Sequence, residues 1–129
     1  MTTDIAALPG VRWAALLAAD RAQVEALAHA CQAADGGFMP LPIAGYLDAS
    51  APAIGAWSEN GELLGGCAVR LQEGADETVA AIVGHVHPGA RGRGVGRHLI
   101  KWSIAQGQAL LAGAEHPRPR ALRIATEGL

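Results

Sequence analysis

The sequence predicts an α/β domain (α+β in its arrangement) built on a mixed, mostly antiparallel sheet, and three observations carry that prediction. Asn60-Gly61 separates two apolar runs, a strong hairpin signal because both turn positions favour positive φ. Thr78 to His87 is an almost continuous apolar run, as expected for a strand buried on both faces. A glycine-rich turn, a helical pattern and a last short strand follow it, so Thr78 to Thr126 reads as a parallel strand–helix–strand unit. The element order is βααβββαβ.

Val11 to Leu16 reads as the first strand. Asp20 opens a helix, with Gln23 three residues on in a capping-box pattern. Val24, Leu27, Cys31 and Ala34 then recur at helical spacing, and Gly36-Gly37 ends the run. A short second helix is expected around Ile43 to Asp48, between Pro42 and Pro52. Ala53 to Glu59 and Leu63 to Leu71 are the hairpin strands, and Gly74-Ala75-Asp76 turns the chain into the buried strand. The next helix is expected from Val95 to Leu111. Gly113 and the pair Pro117 and Pro119 break it, and Ala121 to Thr126 closes the order. On that helix Val95, Leu99 and Trp102 form one apolar stripe, and Ile100, Ile104 and Leu111 form another on nearly the opposite side. A helix apolar on both sides is buried on both sides, so its outer face should be covered by a further segment or a second subunit.

The chain has 129 residues, which sets one domain as the default, and half of them are hydrophobic. That is enough for a packed core and excludes a disordered chain. No apolar run reaches the roughly 18 residues of a membrane span, and MTTDIAALPG lacks the basic region of a secretory leader. Cys31 and Cys67 stand in apolar surroundings and read as reduced core residues of a cytoplasmic protein. The net charge of −2 hides an asymmetry. Residues 1–90 hold three basic and ten acidic side chains, whereas residues 91–129 hold seven basic and two acidic ones. A basic C-terminal third draws an anionic ligand, although charge alone fits a solvated surface equally well. Nucleic acid is a poor fit, because the arginines lack interleaved aromatic side chains and the rest of the chain is acidic.

The stretch VHPGARGRGVGRHLIKW, Val86 to Trp102, carries the chemistry. A helix N-terminus offers unpaired N–H groups and a partial positive charge. Glycines let a phosphate approach the backbone, and Arg91, Arg93 and Arg97 add charge. The pattern therefore reads as a phosphate cradle; the plainer alternative is a tight turn with solvated arginines. Two common nucleotide motifs fail. G-x-G-x-x-G would need glycine at Arg97 or Leu99, and G-x-x-x-x-G-K-S/T is broken by Val95-Gly96 after Gly94.

Val86-His87-Pro88 followed by Arg91-Gly92-Arg93-Gly94-Val95-Gly96 resembles the GNAT acetyltransferase superfamily. The acyl-CoA signature of that superfamily, Arg/Gln-x-x-Gly-x-Gly/Ala, falls here on Arg91, Gly94 and Gly96. The hairpin GAWSENGELLGGCAVRL is similar to the family's second and third strands. The likeness is specific over residues 53–112 and looser over 1–52. It implies a bacterial-like, acetyl-CoA-dependent N-acyltransferase acting on an amine of a small molecule or a protein, with no metal. It also implies a splayed pair of parallel strands with the pantetheine arm between them. The arm would bond to the backbone of Gly84, His85 and Val86. The pyrophosphate would lie on the amides of Gly92, Arg93, Gly94, Val95, Gly96 and Arg97, flanked by the Arg91 and Arg93 side chains.

Departures from the family pattern matter as much. Many members carry a carboxylate base in the strand before Val-x-Pro, and Val79 to Val83 contain none. Glu77, at the start of that strand, and His85, near the cofactor backbone, are the candidate catalytic groups. Each has a plainer role, Glu77 as a solvated strand-end charge and His85 as a structural histidine. His87 is expected on the same strand face as His85, and a metal pair of these with His98 has poor spacing. The family usually continues past its fifth strand with a helix that supplies a tyrosine acid. The only tyrosine here, Tyr46, lies too early for that role. The 129 residues therefore read as a single GNAT-like domain truncated after its fifth strand, a fragment or first half of a longer protein. An unpaired edge is expected along residues 120–126, and it invites self-association or cover by a missing segment. A non-catalytic acyl-CoA-binding domain is the alternative to an enzyme.

Overall fold

A computed structural model describes residues 8, 10–36, 43, 47, 51–73, 78–113 and 120–126. The strands are β1 (Val11–Ala15), β2 (Ala53–Ser58), β3 (Leu63–Glu73), β4 (Thr78–Val86) and β5 (Arg120–Thr126); the helices are α1 (Arg21–Asp35) and α2 (Val95–Ala112). They form one five-stranded sheet in the order β1-β2-β3-β4-β5. The first three pairings are antiparallel, and β4 and β5 run parallel from Thr78↔Arg120 to Gly84↔Thr126. This is the mixed, mostly antiparallel GNAT-like sheet that the sequence predicts. Among the described residues, β1 and β5 are its edges.

Side-chain alternation along the strands divides the core into two layers. On one face Ala53, Trp57, Ala68, Ala81 and Val83 pack against Val24, Leu27 and Cys31 of α1. The buried Ile43 and Leu47 join that layer, and both are helical, in the region where the second helix is expected. On the other face Ile54, Ala56, Cys67 and Val86 pack against Val95 and Leu99 of α2, and Val69, Ala80 and Ile82 against Leu111. All nine residues of β4 are buried, as its continuous apolar run requires.

Several local expectations are corrected. Asp20 does not close a capping box with Gln23. It ends a 3-10 turn (Ala18–Asp20), and its carboxylate accepts from the Leu17 N–H at 2.9 Å, so it reaches back instead of forward. The hairpin is not a two-residue turn. Ser58 N–H bonds to Glu62 O at 2.8 Å, which leaves a three-residue loop with Gly61 at φ +82. The Ser58 hydroxyl fills that loop by accepting from the N–H groups of Asn60 and Glu62. His87 is not part of the strand, which ends at Val86. It follows β4, is exposed, and accepts the Gly89 N–H on Nδ1 at 3.0 Å.

The second stripe of α2 is not an open apolar face. Leu111 belongs to the buried row Val95, Leu99, Ser103, Gly107 and Leu111, while Ile100 and Ile104 are half-buried beside it. The outward positions are Arg97, Lys101, Ala105, Gln108, Ala109 and Ala112. Among the described residues the exposed large hydrophobic side chain is Leu17, not one on α2. Glu77, Tyr46, the Gly74-Ala75-Asp76 turn, Pro117 and Pro119 lie outside the described residues.

Candidate functional site

The buried strand β4 delivers the chain to a turn that is anchored at both ends. Val86 is 2% exposed and Ala90, in the short 3-10 turn Pro88–Ala90, is 1% exposed. Both belong to the cluster that holds Val95 and Leu99 of α2. Between these anchors the backbone inverts twice, with Gly92 at φ +80 and Gly94 at φ +89. Other L-residues adopt such angles only with strain. Space is not the constraint: a Cβ on Gly92 would meet nothing within 4 Å, and one on Gly94 only Leu8 Cδ2 at 3.5 Å.

Gly94 is the N-cap of α2, without any side chain capping the helix. The His98 N–H is the first to bond back, to Gly94 O at 3.2 Å. The helix therefore does not use the amides of Val95, Gly96 and Arg97. No acidic side chain occupies its first turn, and Arg93 and Arg97 are exposed on the rim. The unused amides and the positive end of the helix meet there, and two exposed arginines belong to the same stretch of chain.

Arg91 is placed otherwise. Its guanidinium makes two bonds of 2.7 Å to the Asp35 carboxylate at the end of α1, and its Nε–H donates to Val86 O at 3.2 Å. The side chain expected to flank a phosphate is thus turned toward α1. The Cys31 thiol donates to the same Val86 carbonyl at 3.2 Å. Bonding to Arg91 holds the Asp35 carboxyl below its ordinary value, and the carboxylate in turn raises the Arg91 guanidinium. Burial raises the Cys31 thiol, against the opposing effect of Arg91.

Strand alternation sorts the three backbone positions expected to meet a pantetheine arm. His87 N–H bonds to Leu64 O, so by alternation His85 directs its polar backbone groups to β3, where it pairs with Gly66. Gly84 and Val86 point the other way, toward β5. The last described β4–β5 pair is Gly84↔Thr126, and β4 runs on through His85 and Val86. The His85 side chain is 1% exposed, within the sheet. His98 stands on the opposite side of the turn, with Nδ1 at 2.8 Å from Gly94 O and its ring 6.0 Å from that of Trp13. No group of three or more metal-ligating side chains occurs among the described residues, and no described helix is long and apolar enough to cross a membrane.

The profile of the Acetyltransferase (GNAT) family matches residues 21–123. The chain belongs to the GNAT acetyltransferase family. A search of curated proteins gave no match. Among solved structures, a GCN5-related N-acetyltransferase from Sphaerobacter thermophilus is 24% identical with a TM-score of 0.63. That match covers 81% of this chain but only 34% of that protein's length. A predicted acetyltransferase from Clostridium acetobutylicum, solved with acetyl-CoA, has a TM-score of 0.67 at 9% identity, covering 91% of this chain and 81% of the other. An aminoglycoside acetyltransferase from an uncultured soil metagenomic sample has a TM-score of 0.58 at 15% identity, covering 91% and 78%. Identities this low establish the shared fold of this GNAT chain.

Sequence reasoning missed Asp35, and it read Cys31 as a core residue without its bond to the Val86 carbonyl. A signal for Asp35 was present: a carboxylate in the last turn of a helix faces the negative end of the helix dipole, and such a residue calls for a cationic partner.

Proposed function

We propose that this GNAT domain binds acetyl-CoA and transfers its acetyl group to a primary amine. The observation that carries the reading is the turn from Gly92 to Arg97, inverted at two glycines and opening α2 directly after a buried strand. The cradle suits a pyrophosphate: unused amides, open space above Gly92, and the charges of Arg93 and Arg97. The pantetheine arm would lie along the β5 side of β4 and meet the backbone of Gly84 and Val86. The Val86 carbonyl already accepts from Arg91 and Cys31, which leaves its N–H as the stronger contact for the arm.

In the transfer the lone pair of a neutral amine attacks the thioester carbonyl and the C–S bond breaks. Coenzyme A leaves as its thiolate, and the amine gives up a proton. Backbone N–H groups at the end of β4 are suited to the developing oxyanion. Glu77 and His85 remain the candidate proton acceptors by position in the chain. The burial of the His85 side chain favours a second reading, a domain that binds acyl-CoA without turning it over.

The two readings part in one experiment. Acetyl-CoA is titrated calorimetrically into the chain, and thiol release is followed in parallel with a panel of small amines and peptides. Binding with thiol release supports transfer; binding without release supports the donor-binding domain. Absence of binding rejects both.

A further inference from the structure

We infer that Asp35 is a positioning residue for the donor cradle, acting through Arg91. The inference rests on the acetyl-CoA reading and goes beyond it, because it assigns a role to a residue in a different element, 56 positions away in sequence.

Arg91 is the first residue of the signature, yet its guanidinium faces α1. Three bonds tie it down: two to Asp35 at 2.7 Å and one to Val86 O at 3.2 Å. They join the C-terminus of α1, the end of β4 and the start of the glycine turn at one point. A bidentate guanidinium–carboxylate pair fixes orientation as well as distance. The arrangement matters because the next residue, Gly92, lacks a side chain to hold it, and a Cβ there would have nothing within 4 Å. The turn from Gly92 to Gly94 is therefore set by its ends. Val95 and Leu99 fix the far end through the core, and Arg91 fixes the near end. Without Asp35, the ordering of that turn would fall on the ligand as an entropic cost. The pair is one-third exposed on both sides (31% and 32%), so its contribution to global folding is small and its effect is local.

An opposite outcome is physically reasonable and makes the inference testable. Removing Asp35 also releases a positive charge next to a phosphate site, and if Arg91 could then reach the phosphates, affinity would rise. The experiment measures acetyl-CoA affinity by calorimetry for the full chain, Asp35→Asn, Asp35→Glu, Arg91→Gln and the Asp35→Asn/Arg91→Gln double variant. Melting temperatures check that each is folded.

Asp35→Asn should weaken binding about tenfold, below the roughly 100-fold that a 1 Å misplacement can cost. Asp35→Glu should recover part of the loss. The double variant should bind like Arg91→Gln alone, because the two residues act as one unit. The salt dependence of binding should stay unchanged in Arg91→Gln, since the guanidinium would not be touching phosphate. Wild-type affinity or tighter binding in Asp35→Asn overturns the inference, as does additivity in the double variant or a flattened salt dependence in Arg91→Gln. Failure of the unmodified chain to bind acetyl-CoA overturns the donor reading and this inference together. That result is distinct from failure of the Asp35 role alone, in which the unmodified chain and Asp35→Asn bind equally well.

Discussion

Gly65 on β3 sits directly beneath Val95 at the start of α2: a Cβ placed on Gly65 would stand 3.0 Å from Val95 Cγ1. It would also meet the His85 carbonyl oxygen at 3.1 Å and Leu99 Cδ1 at 3.2 Å. Any side chain at position 65 would therefore force Val95, Leu99 or the His85 carbonyl to give by a few tenths of an ångström. Gly65→Val is expected to destabilise the fold by about 1–3 kcal/mol through overpacking, and to lift the first turn of α2 away from β4. Denaturant titration checks the first effect. Loss of acetyl-CoA affinity under conditions where the variant is still folded checks the second.

Gly94→Glu tests the cradle. A side chain at φ +89 costs about 1–2 kcal/mol in backbone strain, and Gly94→Ala should show the same strain without the added charge. Both variants should therefore lose similar stability, while Gly94→Glu alone should lose acetyl-CoA binding. Equal affinities for the two variants would mean that the phosphates lie elsewhere.

How much of this was legible from sequence depends on the range of each interaction. Gly61 and Gly94 announce their turns because positive φ is a property of a single residue and its immediate neighbours. The burial of β4 is equally local, since an apolar strand must be covered on both faces. Asp20 shows where local reading stops. The residue types of a capping box are present, but a preceding 3-10 turn rotates the carboxylate back onto Leu17. The partner of Arg91 was out of reach for a different reason: Asp35 is brought to it by the packing of α1 across the sheet, which no spacing encodes. The sequence reads the buried strand one residue too long: it ends at Val86, and His87 caps Gly89 instead of extending the strand.

The Asp35–Arg91 pair gives a pH signature with a definite sign. The folded carboxyl lies below its ordinary value of 3.8 because Arg91 donates two hydrogen bonds to it. A depressed carboxyl contributes stability that is fully present above the unfolded value and is lost as pH falls through the folded one. The melting temperatures of the unmodified protein and Asp35→Asn should differ above about pH 4 and converge in stronger acid. Thermal melts from neutral pH down to acid check this. A difference that is constant across the range would assign the effect to packing.

Both cysteines are buried, at 1% exposure each, and burial raises both thiols. Thiolate is the reactive form. Neither Cys31 nor Cys67 should react with an aromatic disulfide reagent in the folded protein, and both should react on unfolding. Rapid labelling of Cys31 alone in native buffer would show that α1 opens locally above the Val86 carbonyl.

The order of the sheet has a consequence for how the molecule comes into being. Every strand pairs with its immediate predecessor in the chain, but only β2, β3 and β4 form a meander of sequence-local pairings, since α1 separates β1 from β2. Local topology of this kind folds quickly. The glycine turn lies at the seam between that meander and the helix–strand unit, so its shape depends on how α2 packs over Gly65. On the acetyl-CoA reading, a nascent chain that ends before α2 would hold four of the five described strands but lack the helix N-terminus that completes the cradle.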